Sequence, residues 1–129
     1  MGGIKGFFYR NKDTFYTKTK EILVMFEFIV MIMVGILFIV IGILNTRGNI
    51  SMLHSYHRER VSEEDRLPFG RMVGAGMIIL GSGIAVSGIL MIGFNKLLTI
   101  IGTAVLAVSF CLGLGLAFYA MIKYNKGIF

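Results

Sequence analysis

The stretch "MVGAGMIILGSGIAVSGILMIG" runs from Met72 to Gly93, and "LLTIIGTAVLAVSFCLGLGLAFYAMI" runs from Leu97 to Ile122. Only "FNK", Phe94 to Lys96, separates them. Runs of 22 and 26 residues without one charge exceed the roughly 20 apolar residues that cross a bilayer as a helix. In hydrocarbon the backbone must satisfy its own hydrogen bonds, so each run is expected to be an α-helix. A three-residue link then forces the two helices into a tight antiparallel hairpin.

Working outward, a third run of this kind lies upstream, Ile22 to Leu44, with Glu27 as its one charge. The fold class expected is therefore all-α and integral to a membrane, with spans 22–44, 72–93 and 97–122. A basic aromatic tail, 1–21, precedes them and a basic tail, 123–129, follows. The composition agrees: 56% of the 129 residues are hydrophobic and 16% are charged, too few polar groups to cover a soluble core of this size. The first span is too long for a cleaved signal segment, and "GILNTRG" offers no small-residue cleavage pattern. "MGGIKG" has Gly6 where a myristoylation signal needs Ser or Thr.

The net charge of +6 resides in the tails and connections. Basic residues there follow membrane topology and anionic headgroups rather than nucleic acid, for which no basic face on a polar domain exists. The Lys and Arg counts on the two sides nearly tie, so orientation is left open. In the N-terminal tail, Ile4, Phe7, Phe8 and Phe15 share a helical face. That tail reads either as an interfacial helix or as a partly ordered basic segment with an aromatic belt. Cys111, the single cysteine, is expected to be a small packing residue inside its span.

The glycines of the hairpin fall into stripes. Gly74, Gly81, Ala85 and Gly88 share one face of the second span, with Gly70 in line. Gly102, Ser109, Gly113 and Ala117 share one face of the third, with Ala120 in line. Small residues let helix backbones approach where lipid supplies no hydrophobic drive, so both stripes are expected to pack. The partner of each, the other stripe or another chain, is open at this point. "GAGMIIL" and "GSGIAVSG" lack the third glycine and the strand context of a dinucleotide loop.

The polar connection 45–71 holds both histidines, the single proline and four of the seven acids. Ile50, Leu53, His54, His57 and Val61 follow a helical face, which predicts a short interfacial helix ending near Val61. Pro68 fixes what comes next. A helix capped by Ser62 would place the proline where it breaks a backbone bond, whereas Asp65 as cap puts it in the first turn. A turn over 62–64 and a helix from about Arg66 are expected. His54 and His57 with Glu63, Glu64 and Asp65 make a weak metal pattern because no third ligand has a fixed spacing. No metal, cofactor or catalytic set is expected. The side chains of His54, Tyr56, His57, Arg58, Arg60, Glu63, Glu64, Asp65 and Arg66 are the candidates for partner contact. Glu27, an intramembrane carboxylate, is the other candidate. It lies shallow in its span, where reaching to the interface or pairing with Lys20 explains it as well as a functional role does.

At this connection the chain resembles a known family, through "LHSYHRERVSEEDRLPFGRMVGAG", Leu53 to Gly76. It is similar to small bacterial membrane proteins, many from Gram-positive species, that form a domain family of unknown function. These share an apolar first span, an HSYH- or SGYN-like stretch, an acid run, a glycine-rich span and a closely spaced third. The resemblance covers roughly residues 25 to 122; the tail of residues 1–20 is longer than the family's. It implies a multi-pass protein of the bacterial cytoplasmic membrane and carries no activity to transfer. The function expected is contact: an accessory or immunity-type protein with another membrane protein or a second copy as partner. The alternative is a small homo-oligomeric channel or transporter using Glu27.

Overall fold

The computed structural model describes residues 2–49 and 61–124. Three α-helices account for nearly all of them: α1 (Gly2–Thr46), α2 (Arg66–Met91) and α3 (Lys96–Tyr124). Each is long and apolar enough to cross a membrane, and no strand occurs among the described residues. The segment expected to form a short interfacial helix, 50–60, lies outside the described residues, and Val61 at its end is in a bend.

The helix ends have local causes. At the end of α1, Gly48 takes φ +84°, its N–H donates to the Asn45 carbonyl, and the Asn49 N–H donates to Leu44. That is a Schellman ending, which needs a left-handed residue and finds the glycine. The helix α2 begins at Arg66, as Pro68 required, and the Phe69 N–H closes the first turn onto the Asp65 carbonyl at 2.9 Å. Asp65 does not cap with its side chain, because it already has helical φ and ψ. Its carboxylate instead accepts the Ser62 hydroxyl at 2.9 Å, tying the turn together. Between α2 and α3 the chain reverses through Phe94 at φ +52°, and Asn95 Oδ1 caps α3 by accepting the N–H groups of Leu97 and Leu98.

The three helices form a single layer with α2 in the middle. Half of the most apolar window of α2 is buried, against 6% for α1 and 17% for α3. The reason is a second stripe of small residues on α2, nearly opposite the first. Gly74, Gly81 and Gly88 face α1, where Gly42, Gly35 and the Phe28 carbonyl meet them in antiparallel register. A methyl group placed at Gly81 would lie 2.5 Å from the Gly35 carbonyl oxygen, and one at Gly42 would lie 2.7 Å from the Gly74 carbonyl. Ala85 touches the same point, beside Gly35. On the other side Gly76, Gly83 and Ser87 face Gly113, Ser109 and Gly102 of α3. A methyl group at Gly76 would lie 2.6 Å from the Gly113 carbonyl and 3.3 Å from the Ala117 nitrogen.

The two stripes legible in the hairpin therefore do not meet one another. The α2 stripe packs on α1, and the α3 stripe packs on the alternate set Gly76, Gly83 and Ser87. Ser87 is fully buried at the second seam, its hydroxyl within 2.6 Å of the Gly83 carbonyl and 2.8 Å of the Gly102 carbonyl. One proton serves one acceptor at a time, so the hydroxyl either holds its own helix or bridges to α3.

A second departure concerns the N-terminal tail. It is neither a separate interfacial helix nor a loose segment, because α1 is unbroken from Gly2 to Thr46. Between Gly6 and Gly35 there is no glycine or proline to end it. At 1.5 Å per residue, the 20 or so residues before Ile22 extend the helix by about 30 Å. Cys111 also departs from expectation: it lies exposed on the outer face of α3 rather than in a seam.

Candidate functional site

The connectivity gathers three polar chain ends at one end of the layer: the end of α1 with Arg47, the start of α2, and the end of α3 with Lys123. Beneath them Phe69, Val73 and Ala120 are buried with Val61, and Met72, Met77, Met121 and Tyr124 pack around this cluster. Val61 is 3% exposed, so the incoming chain is anchored under the bundle just before the acid run. Packed aliphatic, aromatic and thioether groups close this end.

Over that floor Glu63, Glu64 and Arg66 are exposed and Asp65 is half-buried. Arg66 and Glu63 pair at 3.1 Å, an exposed (i, i+3) pair contributing no more than about 1 kcal/mol. Glu64 projects without an ion pair among the described residues. At the end of α3, Lys123 Nζ lies 5.0 Å from the Tyr124 ring centre and 5.9 Å from that of Tyr119. Cation and rings there form an amphipathic border of the kind found at membrane interfaces. Thus Glu63, Glu64, Asp65 and Arg66 are together on one surface. His54, Tyr56, His57, Arg58 and Arg60 lie outside the described residues. Among the described residues no three His, Cys, Asp or Glu groups stand together as metal ligands.

Glu27 is elsewhere. Since Phe28 lies opposite Gly88, Glu27 stands about level with the last turn of α2, near the reversal at Phe94. The Phe28 and Phe94 rings, 6.2 Å apart, mark this end. Glu27 is exposed on α1 and makes no ion pair with Lys20. It is far from the acid run, at the opposite end of the layer.

Two features escaped the sequence reading. Asn45 is fully buried at the end of α1, its Nδ2 donating to Met77 Sδ at 3.2 Å while Oδ1 has no partner among the described residues. A thioether is a weak acceptor, so the amide is poorly compensated on both sides. Gly35 and Gly42 carry half of the α1 seam; their seven-residue spacing matches Gly74, Gly81 and Gly88 and was a usable signal. Between α2 and α3 an outward-facing cleft of about 580 Å³ is lined by aliphatic side chains with the hydroxyls of Ser82 and Ser109. It has no charged group.

Comparison with family models, curated proteins and solved structures finds no match to this chain.

Proposed function

We propose that this chain is a multi-pass membrane protein that acts by contact rather than by catalysis, as an accessory or immunity-type partner of another membrane protein. The observation that carries this reading is the charged end of the layer. Glu63, Glu64 and Arg66 stand outward on a turn anchored by Val61 and Phe69 over a closed apolar floor. Such a surface presents charge to a partner, and its fixed base lowers the ordering cost of binding. Three helices of membrane-crossing length support placement in a bilayer, and lipid would cover their outer faces. The resemblance of Leu53 to Gly76 to small bacterial membrane proteins adds the bacterial cytoplasmic membrane as the location.

Affinity capture of the full chain from its native membranes in mild detergent tests this. A reproducible membrane partner is expected, lost when Glu63 and Glu64 are changed together to Lys. Recovery of the chain alone, again and again, contradicts it. A second reading rests on Glu27, an exposed carboxylate with no ion-pair partner among the described residues: a small homo-oligomeric channel or transporter. Flux into proteoliposomes that Glu27→Gln abolishes would establish it; liposomes that stay tight with wild-type protein remove it.

A further inference from the structure

The cleft between α2 and α3 holds a polar group that its own chain leaves unsatisfied. Ser82 and Ser109 bring two hydroxyls into an otherwise aliphatic groove of about 580 Å³. Among the described residues, every other Ser or Thr hydroxyl on the three helices donates to a backbone carbonyl, as Ser109 does to Val105. Ser82, half-buried, donates to none among them. Its depth makes this costly. Ser82 is the eleventh of the 22 residues from Met72 to Gly93, and Ser109 the thirteenth of the 26 from Leu97 to Ile122. Ser109 packs on Gly83, so the two centres are level. Either end of the charge-free run is roughly 15 Å away, too far for a serine to reach water or a headgroup. A hydroxyl at that depth needs a polar partner, and lipid tails offer none.

We propose that the chain inserts in both orientations and that two copies, one inverted, join through this cleft about a two-fold axis in the membrane plane. Three observations select this occupant. First, the N-terminal extension and the Phe94 reversal carry six of the 13 Lys and Arg, and the 45–71 connection with the C-terminal tail carries seven. Orientation follows an excess of these residues on the cytoplasmic side, and an excess of one leaves both directions open. Second, the extension of α1 holds five basic residues and one acid before Glu21. Copies inserted the same way would bring two such helices to one side, where they repel; inverted copies place them on opposite sides of the membrane. Third, an axis in the membrane plane brings identical residues together only at mid-depth, which is where Ser82 lies. The Ser82 hydroxyl of each copy then meets that of the other, one donating and one accepting. Away from the axis, residues equidistant from the centre meet. Ile79 of one copy lies over Val86 of the other, and both are exposed in the cleft.

The inference rests on the membrane reading above, and one set of chains tests both. A single cysteine replaces Asn11 or Glu64, at opposite ends of the layer, in a Cys111→Ala chain, which leaves the Lys and Arg counts unchanged. A maleimide that does not cross membranes is applied to intact cells, then again after lysis. About half of each site is expected to react from outside, as an even charge balance requires. Lys18→Gln with Lys20→Gln should then expose nearly all of the Asn11→Cys site to the outside. For the interface, differently tagged Ile79→Cys and Val86→Cys chains, both with Cys111→Ala, are made in the same cells and their membranes oxidised with copper phenanthroline. Mixed disulfide is expected to exceed either self-linked dimer several-fold. Ile84→Cys, on the face of α2 away from the cleft, should give little dimer. A chain that resists alkaline extraction but reacts from one side only overturns the dual insertion alone. Self-linked dimers in excess of the mixed one mean a parallel pair and overturn the inversion. Mixed dimer no higher than the Ile84→Cys level overturns the cleft as the interface. A chain that alkaline extraction removes overturns the membrane reading and the pairing with it.

Discussion

At the scale of single residues, the fold depends on what is missing from Gly35, Gly42, Gly76 and Gly81. A side chain at any of them would collide with backbone of the neighbouring helix, and backbone cannot swing aside as the end of a flexible side chain does. Gly81→Val is therefore expected to cost about 1–3 kcal/mol, the usual range for forcing volume into a packed seam. Gly115 is the control, because nothing lies within 4 Å of a methyl group placed there. Gly115→Ala should leave thermal unfolding in mild detergent unchanged or raise its midpoint. Asn45 makes the opposite case. Its buried carbonyl oxygen has no donor among the described residues, and an unmet acceptor of this kind costs on the order of 1–3 kcal/mol. Asn45→Leu is expected to raise the unfolding midpoint; a lower midpoint would mean that the amide contributes more than its one weak bond to Met77.

At the scale of elements, the starts of α2 and α3 look alike in sequence and behave differently. Asn95 uses its side chain to cap α3, accepting two backbone N–H groups. Asp65 stands at the equivalent place before α2 with no cap bond of its own. Asn95→Ala should therefore cost about 1 kcal/mol in the same melting assay, and Asp65→Ala less. The boundary at Arg66 was legible because proline permits few positions, and the hairpin was legible because "FNK" permits few paths. The pairing of the stripes was not. Glycine spacing tells which face of a helix is thin but not which neighbour will occupy it. On α2 two thin faces exist, and only the α1 partners Gly35 and Gly42 decide between them. The unbroken α1 was missed for a related reason. The change from polar to apolar residues near Ile22 suggests a boundary, yet the helix continues across it for want of any residue that would end it.

At the scale of the whole molecule, the three helices form a layer in which, among the described residues, the outer faces of α1 and α3 are uncovered and only α2 is flanked on two sides. The charged groups of the candidate sites sort to its ends: the acid run and Lys123 at one, Glu27 beside the Phe94 reversal at the other. Of the candidate surface, Glu63, Glu64 and Arg66 could be placed from the turn chemistry of the sequence. What they would touch under the proposed function could not, because partner identity resides in the partner. The central claim is that α2 separates α1 from α3, and pairs of cysteines in a Cys111→Ala chain test it most directly. The Met31 Cβ lies 3.3 Å from where a Cβ at Gly88 would stand, and the Leu90 Cβ 3.4 Å from one at Gly102, both close to disulfide separation. Oxidation in membranes should close the Met31→Cys/Gly88→Cys and Leu90→Cys/Gly102→Cys bridges within one chain, with no bridge for Met31→Cys/Gly102→Cys. Closure of that third pair, or failure of the first two, would contradict the layer.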